Sequence, residues 1–172
     1  MRRIISMLLQ NEAGALARVA GMFAARGYNI DSLTVAATQD AEVSRLTLVT
    51  SGDEIVIDQI IKQSRKLIDV IEIADLTSRE HLEFELLIVK VGASADKKTQ
   101  LAALMQRYPR AILVDEGHGS ITVQIAGTGV ELNRFLGELT LLATILDVAR
   151  SGTAALNCDK STGVETSRLT AA

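Results

Sequence analysis

The chain has 172 residues, 48% hydrophobic and 23% charged, with a formal net charge of −3 at pH 7. This is the composition of a soluble globular protein of one or two domains, and its acidic balance with two Tyr, three Phe and no Trp argues against nucleic-acid binding. No apolar run approaches the roughly 18 residues that a membrane-spanning helix needs, and a single cysteine, Cys158, excludes an internal disulfide and suits the reducing cytoplasm.

The first half of the chain is predicted to have the order strand, helix, strand, strand, helix, strand. Its first helix follows from Leu16, Val19, Ala20 and Phe23, which recur at i, i+3, i+4 and i+7, and it ends at Gly27. The elements predicted here are strands at Met1–Leu9, Tyr28–Ala37 (with a bulge near Asp31–Ser32), Val43–Thr50 and Ile68–Leu76, with a second helix at Glu54–Leu67.

The second half repeats this order. The elements predicted here are strands at Phe84–Val91, Ile112–Asp115, Ser120–Ala126 and Ile145–Arg150, with helices at Asp96–Arg107 and Val130–Leu142. The segments that lead from the second helix of each half into its last strand are also alike. They read Leu67-Ile68-Asp69-Val70 in the first half and Ile145-Leu146-Asp147-Val148 in the second. We therefore expect domains at residues 1–77 and 82–152, joined through Thr77–Leu82, and a mobile tail at 153–172.

Each βαββαβ unit is expected to form an antiparallel four-stranded sheet with two helices on one face, which is the ferredoxin-like arrangement of the α+β class. The other face of such a sheet must be covered, because otherwise a large apolar patch would meet water. The sequence therefore predicts an oligomer.

The segment between the first strand and the first helix, Asn11–Gly14, is the most promising candidate site. The first N–H groups of a helix have no partners within the helix and can hold an anion such as a carboxylate. Gly14 allows close backbone approach, and the amides of Asn11 and Asn29 each offer both a donor and an acceptor. On pattern alone, however, all three are more simply loop and turn residues.

The segment MRRIISMLLQNEAGALARVAGMFAARGYNIDSLTVA resembles the start of the small, regulatory subunits of acetolactate synthase (acetohydroxyacid synthase). The similarity continues through SRLTLVTSGDE and LIDVIEI. In the second half, TVQIAGTG and VARSG match the layout of that family less specifically. The resemblance covers Met1 to about Gly152.

The resemblance implies that the N-terminal half is an ACT domain, which binds small effectors at dimer interfaces. It implies a chain without a catalytic centre, which activates a large catalytic subunit carrying thiamine diphosphate, Mg²⁺ and FAD. It also implies that the chain confers feedback inhibition by valine or another branched-chain amino acid. The partners would be the large subunit, a second copy of the chain and the amino acid, with no nucleic acid and no membrane.

Carried onto this sequence, the family's effector site would be shared by two subunits. One subunit would contribute Asn11, Gly14, Ala15 and Leu16, and its partner would contribute Asn29 and Ile30. Ala36 and Gln59 fall at positions linked to regulation. Many relatives have proline where this chain has Ala13, a change that would soften the loop without abolishing the site.

Three other functions compete with this one. A free-standing amino-acid sensor with another target would have the same effector site. An RNA-binding module of this topology would need aromatic residues that Ser44–Thr50 lacks. An enzyme would need a nucleophile–base pair, a metal set or a cofactor loop. His81, His118 and Cys158 stand alone, and Gly127-Thr128-Gly129 lacks the third glycine of a phosphate-binding loop.

Overall fold

A computed structural model describes residues 1–92, 94–117 and 119–158 of the chain. The predictions made for His118 and for residues 159–172 lie outside these residues. The chain divides into two compact units. The first contains Met1–Asp31, Val35–Leu82 and the described residues from Ala155, and the second contains Ser32–Thr34 and Glu83–Ala154.

The first six elements form a four-stranded antiparallel sheet with two helices. They are β1 (Arg2–Gln10), α1 (Ala15–Ala25), β2 (Ser32–Ala37), β3 (Val43–Ser51), α2 (Glu54–Ser64) and β4 (Val70–Asp75). The strand order is β2-β3-β1-β4, so β2 is an edge strand. Strand β1 pairs with β3 along its whole length, from Arg2↔Ser51 to Gln10↔Val43.

Alternation along β1 and β3 places large apolar side chains in register. The pairs Ile5↔Leu48 and Met7↔Leu46 are fully buried, as the period of two requires for one face of a sheet. The buried stripe of α1 is Ala15, Val19, Met22 and Phe23. The prediction that Leu16 lies on this stripe is wrong, because Ala15 takes the inward position and Leu16 remains 38% exposed.

Several element boundaries differ from the prediction, and local hydrogen bonds account for two of them. Strand β2 begins at Ser32 instead of Tyr28, since Tyr28 N–H bonds back to Phe23 O and Thr50 Oγ1 donates to Asn29 O. Helix α2 ends at Ser64 instead of Leu67, because Leu67 N–H donates to Ser64 O in a tight turn.

The remaining elements repeat the same order and add one strand. They are β5 (His81–Gly92), α3 (Ala95–Gln106), β6 (Ala111–Gly117), β7 (Ser120–Gly127), α4 (Gly129–Leu142), β8 (Ile145–Arg150) and β9 (Ala154–Asn157). The strand order is β6-β7-β5-β8, with β9 also paired to β5. The centre of this core is Val89, Val123, Leu132, Phe135 and Leu139, each fully buried.

The predicted fold class, two βαββαβ units of the α+β type, is confirmed. Strand β9 was not predicted. It lies in the segment expected to be mobile, and Thr153 and Ala155 are buried, so that expectation does not hold for residues 153–157. Four residues with one buried alanine give too short a pattern to identify a strand from sequence. Among the described helices, none is both long and apolar enough to cross a membrane.

Candidate functional site

The N-termini of α1 and α3 have no side-chain cap, whereas those of α2 and α4 are capped by side chains. On α2, Asp53 accepts the N–H of Val56 at 2.9 Å, and on α4 Thr128 and Glu131 form a reciprocal capping box. On α1 the N-cap is Gly14, with φ +91°, no side-chain cap and no acidic residue in the first turn. Helix α1 therefore directs uncapped N–H groups and a partial positive charge at its surroundings.

Asn11 holds the loop before α1 in place. Its Nδ2 donates to Ala41 O at 2.8 Å, and its Oδ1 accepts from Ser44 Oγ at 3.0 Å. Its backbone N–H donates to Glu42 O at 2.7 Å. An amide has two N–H donors and two lone pairs, so one donor and one acceptor position remain on this exposed side chain. Asn11 can support the loop and still contact a ligand.

A cavity of about 280 Å³ lies beside this loop and brings together four of the predicted residues. These are Asn11, Ala15, Leu16 and Ala36, and the other lining residues are Leu9, Gln10, Glu12, Val35, Ala37 and Ser44. The volume is slightly below the roughly 300 Å³ at which drug-sized pockets begin, which suits a molecule the size of an amino acid. The wall combines small aliphatic side chains with a few polar groups. Gly14 does not line the cavity but immediately precedes Ala15.

The other predicted residues lie at the opposite end of α1. Asn29 Nδ2 donates to Asp31 Oδ1 at 2.6 Å, and Gln59 Oε1 accepts from the hydroxyl of Tyr28 at 3.2 Å. Helix α1 has 11 residues, which corresponds to about 16 Å at 1.5 Å per residue. Within one chain, Asn29 and Ile30 therefore cannot contact an amino acid that also contacts Asn11.

Sequence reasoning missed an ion pair next to the candidate loop. Arg18 donates from Nε to Asp69 Oδ2 at 2.5 Å and from Nη2 to Oδ1 at 2.6 Å. Asp69 is only 2% exposed, and the hydrogen bond from Arg18 lowers the pKa of its carboxyl. The only signal in the sequence was the repeated helix exit that contains Asp69, which by itself names no partner.

The weaker candidates have structural explanations. Thr128 is an N-cap whose backbone N–H donates to Glu131 Oε2 at 2.8 Å, so the Gly127–Gly129 loop is closed by its own carboxylate and offers no phosphate site. His81 Nδ1 lies 2.8 Å from Arg79 O. Cys158 is exposed. In the part of the chain that the structure describes, no group of three or more His, Cys, Asp or Glu residues is placed to hold a metal ion.

Comparison with known proteins gives the family. Residues 5–72 match the model of the AHAS small subunit-like ACT domain, and residues 84–159 match that of the small subunit of acetolactate synthase. The acetolactate synthase isozyme 3 small subunit of Escherichia coli K12 is 45% identical over 157 residues, which are 91% of this chain and 96% of that protein. The acetolactate synthase small subunit of Haemophilus influenzae is 41% identical over 88% of this chain and 93% of its own.

Among solved structures, the acetolactate synthase small subunit of Thermotoga maritima superposes with a TM-score of 0.82 at 30% identity. The match covers 91% of this chain and 97% of that one. The resemblance found in the N-terminal residues is thus confirmed over nearly the whole chain by sequence and by fold. The chain belongs to the family of acetolactate synthase small subunits.

Proposed function

We propose that this chain is the regulatory subunit of an acetolactate synthase, which activates the catalytic large subunit and makes it sensitive to valine or another branched-chain amino acid. The observation that carries the proposal is the uncapped N-terminus of α1 beside a cavity of amino-acid size, within an ACT domain of this family. The chain has no catalytic role in this proposal. Thiamine diphosphate, Mg²⁺ and FAD belong to the large subunit, and the complex works in the cytoplasm.

The cavity matches the three parts of a branched-chain amino acid. The carboxylate would accept from free N–H groups in the first turn of α1, where the helix dipole contributes about 0.3–1 kcal/mol. The ammonium would donate to the remaining lone pair on Asn11 Oδ1. The aliphatic side chain would lie against Leu16 and Val35. One methylene changes such binding by only about 1–3 kcal/mol, so the class of ligand is better supported than valine alone.

The site is completed by a second subunit in this proposal. Strand β2 is an edge strand whose Val35, Ala36 and Ala37 are exposed, and an exposed apolar edge is a surface for pairing with another chain. Pairing there would cover the edge and bring the partner's loop to the cavity. Asn29 and Ile30 would then act in trans, which is consistent with their distance from Asn11 along α1. Gln59 would act indirectly, through its hydrogen bond with the hydroxyl of Tyr28, the residue that immediately precedes Asn29.

The two units have different roles in the proposal. Residues 1–77 are the ACT domain that binds effector and dimerises, and residues 82–152 are a second ferredoxin-like domain for packing or docking to the large subunit. The first helix of the second unit follows a loop that has no counterpart of Asn11. We therefore assign effector binding to the first unit only.

The test is reconstitution with the thiamine-dependent large subunit of the same organism. Acetolactate formation is measured with the large subunit alone, with the chain added, and with valine, leucine or isoleucine titrated into the mixture. We expect stimulation by the chain and inhibition by at least one of the three amino acids. Stimulation without inhibition would reject the effector site. Binding of an amino acid by the purified chain without stimulation would instead indicate a free-standing sensor.

A further inference from the structure

We propose that Asp69 and Arg18 form a clamp that fixes both ends of the Asn11–Ala17 segment in the conformation that receives the effector, so that both are positioning residues of the effector site. This inference rests on the proposed function. It adds two residues to the proposed effector site, which lie 51 positions apart in sequence. They would affect effector binding indirectly, without contacting the effector.

In the clamp, Asp69 accepts three hydrogen bonds, which come from residues on the two sides of the segment. The backbone carbonyl of Asp69 accepts the N–H of Gln10, immediately before Asn11, at 2.9 Å. Its carboxylate accepts two bonds from Arg18, immediately after Ala17. Asp69 is buried, with 3% of its side chain exposed, whereas the side chain of Arg18 is 45% exposed. The buried acid is thus the fixed point, and the loop and helix are attached to it.

The guanidinium also lies directly against the N-cap. A Cβ added to Gly14 would come within 2.9 Å of Arg18 Nη1. Gly14 has φ +91°, a conformation that glycine adopts without steric cost. Arg18 therefore packs against the residue whose backbone leads into the uncapped N–H groups. Because Nε and Nη2 are held by Asp69 in a planar bidentate pair, the position of Nη1 is set as well.

The purpose of such an arrangement is preorganisation. A loop that is already in its bound conformation does not lose further conformational entropy when the ligand binds, and its affinity is higher by that amount. The hydrogen bonds of Asn11 hold the start of the loop, whereas its end at α1 has no side-chain cap. The ion pair of Arg18 supports that end.

The second unit shows what the corresponding position does without a carboxylate. Thr144 takes the place of Asp69 in the fold: it immediately precedes β8 as Asp69 precedes β4, and its backbone carbonyl likewise accepts an N–H from the end of the first strand of its unit, at 2.9 Å. A threonine has no carboxylate with which to hold a guanidinium. Asp147, which matches Asp69 in the repeated sequence, lies within β8 and is exposed. The buried bidentate pair of that unit joins Glu85 on β5 to Arg150 on β8 and does not hold a strand–helix loop. The clamp occurs in the unit that carries Asn11.

The Glu85–Arg150 pair provides a matched control. Its carboxylate and guanidinium side chains are 8% and 35% exposed, close to the 3% and 45% of Asp69 and Arg18. Arg18→Met and Arg150→Met each remove one bidentate guanidinium from a buried carboxylate. Arg18→Lys retains the charge but cannot form the bidentate pair. A loss of general stability would affect both Met variants, whereas a positioning effect would be confined to the variants at residue 18.

The experiment measures loop order and ligand affinity separately, on the full-length chain. Hydrogen exchange of backbone amides at residues 11–17 is followed without ligand, and valine binding is measured by calorimetry. We expect Arg18→Met to increase exchange in this segment and to weaken valine binding roughly tenfold, within the range of indirect positioning effects. Arg18→Lys should fall between Arg18→Met and wild type, and Arg150→Met should match wild type in both measurements.

Unchanged exchange at residues 11–17 in Arg18→Met would overturn the clamp, whatever the chain binds. Increased exchange with unchanged valine affinity would overturn the assignment of Arg18 and Asp69 as positioning residues. A wild-type chain that binds none of the three branched-chain amino acids would reject the effector proposal and the positioning role with it. Hydrogen exchange would still decide whether the clamp orders the loop.

Discussion

Substitution of Gly14 by aspartate should abolish valine sensitivity for two separate reasons. The first is steric: the backbone at residue 14 has φ +91°, and a Cβ there would lie 2.9 Å from Arg18 Nη1. A residue other than glycine in the left-handed region costs roughly 1–2 kcal/mol, and the guanidinium must also shift away from Asp69.

The second reason is electrostatic. An aspartate at the N-cap would place its own carboxylate at the uncapped N–H groups of α1 and occupy the position proposed for the ligand's carboxylate. Two like charges about 4 Å apart repel by about 4 kcal/mol at an effective dielectric constant of 20. This energy corresponds to more than about a hundredfold loss of affinity for valine. Gly14→Ala introduces the strain without the charge. It should therefore weaken valine binding much less than Gly14→Asp.

The assay is acetolactate formation by the reconstituted enzyme as valine is titrated, with stimulation in the absence of valine as the measure of intact assembly. Gly119→Asp is the control, because Gly119 also has positive φ (+85°) and lies in the second unit with open space where its Cβ would be. We expect Gly14→Asp to stimulate the large subunit normally and to resist valine, while Gly119→Asp remains sensitive. If Gly14→Asp were inhibited at the wild-type valine concentration, the site at the N-terminus of α1 would be wrong.

Three further predictions concern the loop proposed to act in the partner subunit, the proposed dimer edge and acid stability. Asn29→His should relieve valine inhibition while leaving stimulation largely intact, and the same titration would show normal inhibition if this loop were not part of the site. Ala36→Asp should shift the chain toward monomer in sedimentation velocity, because like charges would meet across the paired β2 edges, whereas Ala102→Asp on the exposed face of α3 should not. Arg18 holds the pKa of Asp69 below its usual value, so this ion pair stabilises the fold above about pH 4 and the stabilisation is lost as the pH falls through the lower folded-state pKa. The difference in urea midpoint between wild type and Arg18→Met should therefore shrink below about pH 4, and a difference that persisted there would exclude ionisation of Asp69 as its cause.

Much of the fold was predictable because its signals are local. Helix α1 follows from an apolar repeat that precedes Gly27, and β3 follows from the alternation that places Leu46 and Leu48 on one face. The repetition of the same order in the second half identified the two ferredoxin-like units. Family membership was equally accessible, since residues 1–36 carry a long and specific match. The candidate loop at Asn11–Gly14 was found for the same reason: a glycine between a strand and a helix is visible within ten residues.

The remaining features depend on contacts between residues that are distant in sequence. Whether Ala15 or Leu16 faces the core depends on how α1 packs on its sheet, and helical periodicity determines that angle only to within one residue. Strand β2 starts only at Ser32, and one of the bonds that hold the backbone before it comes from Thr50, 21 residues away from the Asn29 carbonyl that it contacts. The segment itself does not encode that bond.

The open N-terminus of α1 combines features that the sequence determines with features that depend on the tertiary structure. Sequence alone determined that a helix begins after Gly14 and that its first N–H groups lack partners within the helix. Only the tertiary structure decided that no side chain caps them, that Asn11 is tied to the β2–β3 turn, and that a cavity lies alongside. It also brought Asp69 to Arg18 across 51 residues. The local sequence determines which backbone groups lack a hydrogen-bond partner. The tertiary structure determines which distant residues lie close enough to bond them, because their positions depend on the register of strands that pair across the whole unit.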